Sequence, residues 1–278
     1  MPARKVEQAV LPELLDSLLT RAPKAARELG YVAEGVAIGS RARRLRASWQ
    51  AHLEATRAFV DTCATGGEHL LVLGSGRLLD LPLEAVAGRY ARVTLVDWVH
   101  GRPARRRAAR CKNVVLHEVD ITGCAASLLG LRQVPPLVHV TAVANPAPFL
   151  SGLPAPDATV SLNLASQLPI LPIQRLQALG AGRATCDAYG RALIAAHLDT
   201  LAALPGRVAA IFDVERLYTY VDGARETESS VHGLALPAPV RTWRWSLAPN
   251  GEIDRRFSMD LAVNAWDDWA AVWPLPSA

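Results

Sequence analysis

A glycine-closed apolar run followed by two acid-closed apolar runs constrains this chain more than any other feature. His69-Leu70-Leu71-Val72-Leu73 is short and apolar, and Gly74-Ser75-Gly76 closes it. Arg92-Val93-Thr94-Leu95-Val96 ends in Asp97, and Asn113-Val114-Val115-Leu116-His117-Glu118-Val119 ends in Asp120. Strand and glycine turn, strand and acid, strand and acid is the order in which a doubly wound sheet builds a nucleotide or nucleoside site. The glycines let the backbone approach the ligand, and an acid at the end of the second strand accepts from the ribose hydroxyls.

The flanking sequence extends this pattern in both directions. Val6, Val10, Leu11, Leu14, Leu15, Leu18 and Leu19 recur at helical spacing and predict a helix over residues 5–20. Leu45, Trp49, Leu53 and Val60 predict a second over 40–63, and Gly66-Gly67 breaks the chain before the first strand. Residues 1–65 are therefore expected to be a helical cap, covering the sheet or closing over its ligand, and residues 66–278 the sheet domain. Ala158 to Leu164 reads as a fourth strand. A proline-broken segment at 168–176, a helix over 186–203 and a fifth strand, Val208 to Val214, follow. Val240 to Leu247 then alternates, Ala248-Pro249-Asn250-Gly251 is a turn, and Ile253 to Val263 alternates again. Alternating strands and helices closed by an antiparallel hairpin predict an α/β fold with a mostly parallel sheet.

Half of the 278 residues are hydrophobic, enough for a large core, and the formal net charge is only +4. The arginine cluster from Arg102 to Arg110 fits the solvated face of a short helix, so no nucleic-acid partner is expected. Cys63, Cys111, Cys124 and Cys186 are too scattered for a zinc site or a disulfide framework, and suit free thiols in a cytoplasmic protein. His139, His197 and His232 have no ligand spacing, so no metal is expected. No apolar run approaches bilayer length, so no membrane partner is expected either. A homodimer stays open.

Taken together, the sequence resembles the class I S-adenosylmethionine-dependent methyltransferases over roughly residues 66–265. Leu73 to Pro82 resembles the first motif, Val93 to His100 the second, Val119 to Thr122 the third, and Ser161 to Pro169 matches the end of the fourth strand. The resemblance implies a seven-stranded Rossmann-like sheet with a C-terminal antiparallel hairpin, here preceded by the helical cap. It also implies S-adenosyl-L-methionine as cofactor. Gly74, Ser75, Gly76 and Leu78 would face it, with Asp97 on the ribose, Trp98, Asp120 and Ile121 around the adenine, and Asn163 under the sulfonium. Two departures stand out. The family's acid two residues before the first glycine is Val72 here, and its third glycine is Leu78. A nicotinamide fingerprint fits worse, since its third glycine falls on Leu79.

Ser166 and Gln167, in the crevice outside the strand ends, are candidates for substrate contact, although serine there also caps helices. Tyr220 is a further candidate. His100, Glu215 and Tyr218 are the candidate general bases, needed only if the acceptor must lose a proton. Asp213, after strand five, and Glu226, Glu228 and His232, before the hairpin, could line an acceptor pocket, although a solvated loop is the default reading. The C-terminal tryptophans Trp243, Trp245, Trp266, Trp269 and Trp273 read mainly as core and edge packing, with a substrate cage for an aromatic or cationic acceptor as the alternative. The leading expectation is methyl transfer to a small-molecule acceptor. Three rivals are aminocarboxypropyl transfer or cyclisation resembling nicotianamine synthases, a non-catalytic binding protein, and a nucleic-acid methyltransferase, for which only Asn145-Pro146 comes near a catalytic motif.

Overall fold

The computed structural model describes residues 13–136 and 150–274. The first part of the expected N-terminal helix, His139 and Asn145-Pro146 lie outside the described residues. Gly67–Leu73 (β1) is an interior strand of the sheet, and its last five residues are all buried. Successive side chains on a strand point to opposite faces. Leu70 and Val72 accordingly enter one core, and Leu71 and Leu73 another. Burial on both faces explains why the strand reads as a continuous apolar run rather than an alternating one.

Tyr90–Asp97 (β2) and Val114–Glu118 (β3) extend the sheet in parallel on one side. Ala158–Leu162 (β4) and Arg207–Tyr220 (β5) extend it in parallel on the other. The strand order is completed by two antiparallel strands beyond β5, Phe257–Trp266 next to it and Arg241–Ala248 outermost. The strand count is eight rather than the expected seven. The additional strand, Arg225–Ser229 (β6), pairs antiparallel with Glu215–Thr219 in the distal half of β5. It replaces the loop expected there, so Glu226 and Glu228 belong to a ladder. Arg241–Ala248 is therefore β7 and Phe257–Trp266 is β8.

The helices before the sheet are Lys24–Glu28 (α1), Tyr31–Arg44 (α2) and Arg46–Cys63 (α3). The expected single helix over 40–63 is two helices, interrupted at Leu45 (φ −101°, ψ 24°). Trp49, Phe59 and Val60 of α3 join the same core as Leu70 and Val72, so this helix covers a face of the sheet. Residues 13–19 are helical, but Leu14, Leu15, Leu18 and Leu19 are exposed rather than packed as an apolar stripe. Leu83–Ala87 (α4), Arg102–Ala108 (α5) and Ala125–Gly130 (α6) connect the first strands. The segment expected to be proline-broken is a helix, Ile170–Ala178 (α7), because its prolines stand at the N-cap and in the first turn, where no intrahelical N–H bond is lost. Arg183–Ala202 (α8) packs Ile194, Leu198 and Leu201 on the second face of the sheet, and Trp269–Val272 (α9) closes that layer. Among the described residues no helix is long and apolar enough to cross a membrane.

Candidate functional site

The carboxyl ends of β1, β2, β4 and β5 open onto a cavity of about 390 Å³ roofed by α2 and α3. Its floor begins at the glycine turn. Gly74 has φ +78°, and a Cβ there would lie 2.6 Å from the Leu162 carbonyl oxygen and 2.9 Å from Leu164 Cβ. Only glycine meets both the left-handed backbone and this close approach. The N–H groups of Gly74 and Ser75 both donate to the Val96 carbonyl, tying the turn to β2 (3.0 and 3.2 Å). Leu78, where the motif would have its third glycine, also has a positive φ, +58°. Its side chain is buried in the first core, away from the cavity. Its carbonyl accepts from Arg107 Nη1 (2.6 Å), so one arginine of the basic cluster secures the loop.

Asp97 lies across the turn. Its Oδ2 accepts from the Gly76 N–H (2.8 Å) and its Oδ1 from the Val99 N–H (3.2 Å). Each ionised carboxylate oxygen accepts about two hydrogen bonds, so both retain capacity toward the cavity that Asp97 lines. Burial raises its proton affinity above the usual carboxylate range, against the pull of His100 and the backbone donors.

The other second- and third-motif candidates stand back from the cavity. His100 is fully buried, with Nε2 2.8 Å from Ser75 Oγ and Nδ1 3.4 Å from Glu118 Oε1. Burial holds its pKa below the usual histidine value. It braces the glycine turn against β3 and does not line the cavity, which removes the access a general base needs. Asp120 accepts from the Thr122 N–H and hydroxyl and from the Ala125 N–H, fixing the turn into α6. Ile121 is buried in the second core. Trp98 packs edge-on against Tyr31 at 4.6 Å. Of this group it is Tyr31, from α2, that reaches the cavity, its hydroxyl held protonated by burial and by Asp120 and Asp97.

The β4 and β5 ends contribute more. Asn163 adopts the left-handed region (φ +47°), which asparagine tolerates better than most residues, and donates from Nδ2 to Asp80 Oδ2 at 2.6 Å. Ser166 Oγ donates to Asp213 Oδ1 at 2.5 Å, both groups being buried. Asn163, Ser166, Gln167 and Asp213 all line the cavity. Glu215, Tyr218 and Tyr220 do not. Glu215 is exposed at the β-bulge, Tyr218 donates to Glu228 (3.2 Å), and Tyr220 donates to Glu226 (2.8 Å). All three lie in the distal half of β5, of which Arg216 alone lines the cavity.

Sequence reasoning missed Asp80 and His52, and it offered Trp243 and Trp245 as an aromatic cage only as the lesser alternative to packing. Asp80 was detectable as a lone acid in Leu78-Leu79-Asp80-Leu81-Pro82-Leu83, an apolar stretch in which a carboxylate is costly. Burial raises its pKa, partly opposed by the Asn163 hydrogen bond. In the wall, His52 stacks on Trp245 at 3.9 Å, and Trp49 meets Trp245 edge-on at 5.0 Å. Trp243 Nε1 donates to His52 Nδ1 (3.0 Å), which leaves the ring proton of the neutral form on Nε2. Burial lowers the His52 pKa to about 3, so the ring is neutral over the ordinary pH range.

No protein-family model and no curated protein matches the sequence. Among solved structures, the chain is similar to the 1,6-didemethyltoxoflavin-N1-methyltransferase of Burkholderia thailandensis, bound to 1,6-didemethyltoxoflavin and S-adenosylhomocysteine. That match has a TM-score of 0.39 and 16% identity, covering 88% of this chain and 93% of that one. A DhpI complex with SAM and HEP matches at a TM-score of 0.38 and 12% identity, covering 87% and 99%. A SAM-dependent methyltransferase of Leishmania major matches at 0.34 and 14%, covering 82% and 76%.

Proposed function

We propose that this chain is an S-adenosylmethionine-dependent methyltransferase acting on a small-molecule acceptor. The observation that carries the reading is the meeting of the glycine turn, the Asp97 carboxylate and a roofed cavity at the strand ends. A Cβ at Gly74 would press on the neighbouring strand end, and Asp97 retains acceptor capacity, so the residues present fit a nucleoside with vicinal hydroxyls.

The bound cofactor supplies a methyl group already activated on sulfur. The chain has to bind, orient and dehydrate. Gly74, Ser75 and Gly76 allow close approach, and Asp97 receives the ribose hydroxyls. Asn163, Ser166, Gln167 and Asp213 are the polar groups available to align an acceptor, and the aromatic wall of Trp49, His52 and Trp245 excludes water. Helices α2 and α3 act as the roof of a nucleoside-binding sheet domain, in a cytoplasmic protein that functions without nucleic acid or membrane. His100 acts by positioning the glycine turn.

A second reading, transfer of the aminocarboxypropyl arm, is favoured by one observation. The strand acid of the first motif is replaced by Val72, which is fully buried in the core. Incubating the protein with S-adenosylmethionine and a cell metabolite extract, with mass spectrometry of the nucleoside product, separates the two. S-adenosylhomocysteine above the no-extract control is expected. Methylthioadenosine above the no-enzyme background would favour the second reading, and neither product would contradict both.

A further inference from the structure

We propose that Asp80 receives the ammonium group of the ligand's amino-acid arm, taking over the role left empty at Val72. The inference rests on the nucleoside reading above and adds to it the residue that recognises the arm.

Val72 is fully buried in the first core, does not line the cavity and offers no acceptor. Of the cavity's other aspartates, Asp97 faces the glycine turn, where its remaining acceptor capacity is assigned to the ribose, and Asp213 is held by the Ser166 hydroxyl. Asp80 has Asn163 as its side-chain partner, a neutral amide. Arg57 acts on Asp80 through its charge alone, since its guanidinium donates to the Leu79 carbonyl. His52 is neutral. Among the described residues, then, no cation contacts Asp80. A buried carboxylate with no cation in contact is unfavourable, and a cation brought by a ligand relieves it. Its location suits the arm. Asn163 holds it over the end of β4, and Gly74 packs against Leu162 and Leu164 at that same strand end. Arg41, Arg77 and Arg216, each paired with an acid (Glu252, Asp16 and Glu228), also line the cavity and are the cations within it for the arm's carboxylate.

The test compares two ligands that differ by the arm. S-adenosylhomocysteine carries it; methylthioadenosine does not. Binding of each to the wild type and to Asp80→Asn is measured by calorimetry. The asparagine keeps the size of the side chain and an oxygen for the Asn163 amide, and thermal melts confirm that the variant folds. The expected result is a loss of about ten- to a hundredfold in affinity for S-adenosylhomocysteine, the range of a charge-assisted hydrogen bond, with methylthioadenosine within about twofold.

The pH dependence gives a second readout. Asp80 must be ionised to hold a cation, and burial raises its pKa. Wild-type affinity for S-adenosylhomocysteine therefore falls on acidification, starting above the usual carboxylate range. The groups facing Asp80 are Asn163 and His52, neutral throughout, Arg57, charged throughout, and Asp97, which acts on both ligands and cancels in the comparison. An equal loss for both ligands, or none for either, would overturn the proposal. So would unchanged S-adenosylhomocysteine binding with lost turnover, which would make Asp80 a base acting on the acceptor. If the wild type bound neither ligand, the nucleoside reading itself would fall and this proposal with it.

Discussion

At the scale of single residues, the glycine turn shows how sequence departures are absorbed. Leu78 holds a backbone conformation that costs an L-residue roughly 1–2 kcal/mol. Its buried side chain offsets that, since removing a buried leucine costs about 2–5 kcal/mol. Leu78→Gly should therefore lower stability by about 1–3 kcal/mol in denaturant melts despite the relieved backbone; a stabilised variant would show that strain dominates. Gly74→Ala has no such compensation, because its Cβ would meet the Leu162 carbonyl. It should reduce both stability and nucleoside affinity. These residues were legible because their chemistry is forced by backbone geometry. Asp80, His52 and Tyr31 were not, because a single acid, histidine or tyrosine has no pattern until the chain brings its partners together.

At the scale of elements, legibility follows burial. β1, β2 and β4 read clearly because burial on both faces demands unbroken apolar runs. β6, Arg-Glu-Thr-Glu-Ser, is mostly exposed and carries no periodic apolar signal. It exists through its backbone ladder to β5, which extends beyond the core. The parallel pairing of β4 and β5 brings their ends side by side, and with them Ser166 and Asp213. Removing that donor leaves a buried carboxylate less satisfied. Ser166→Ala should cost about 1–3 kcal/mol in a melt, and more if nothing else reaches Asp213. A variant as stable as the wild type would mean that the pair does not support the strand ends.

At the scale of the whole molecule, the roof ties the beginning of the chain to its end. The His52–Trp243 hydrogen bond spans 191 positions, a separation no local pattern reveals. Burying histidines also couples the fold to pH. His197, against Ser161 Oγ at 3.0 Å, has its pKa lowered from 6.5 to about 4. The unfolded chain then binds a proton that the folded chain refuses, so this contribution is fully present above about 6.5 and is lost as pH falls toward 4. Asp80 and Asp97, whose pKa values are raised, act in the opposite sense as their protons return. The comparison with a variant isolates the histidine. Between about pH 6 and 4.5 the wild type should lose roughly 1.4 kcal/mol per pH unit more than His197→Gln. Parallel pH profiles would contradict a neutral buried ring.

The central claim is that the strand ends hold a nucleoside through Asp97. Calorimetric titration of S-adenosylhomocysteine into the wild type and Asp97→Ala tests it most directly. The account predicts saturable binding to one site in the wild type and a loss of at least about tenfold in the variant, the smaller end of what hydrogen bonds to a charged group contribute. No binding to the wild type, or equal affinity in both proteins, would contradict it.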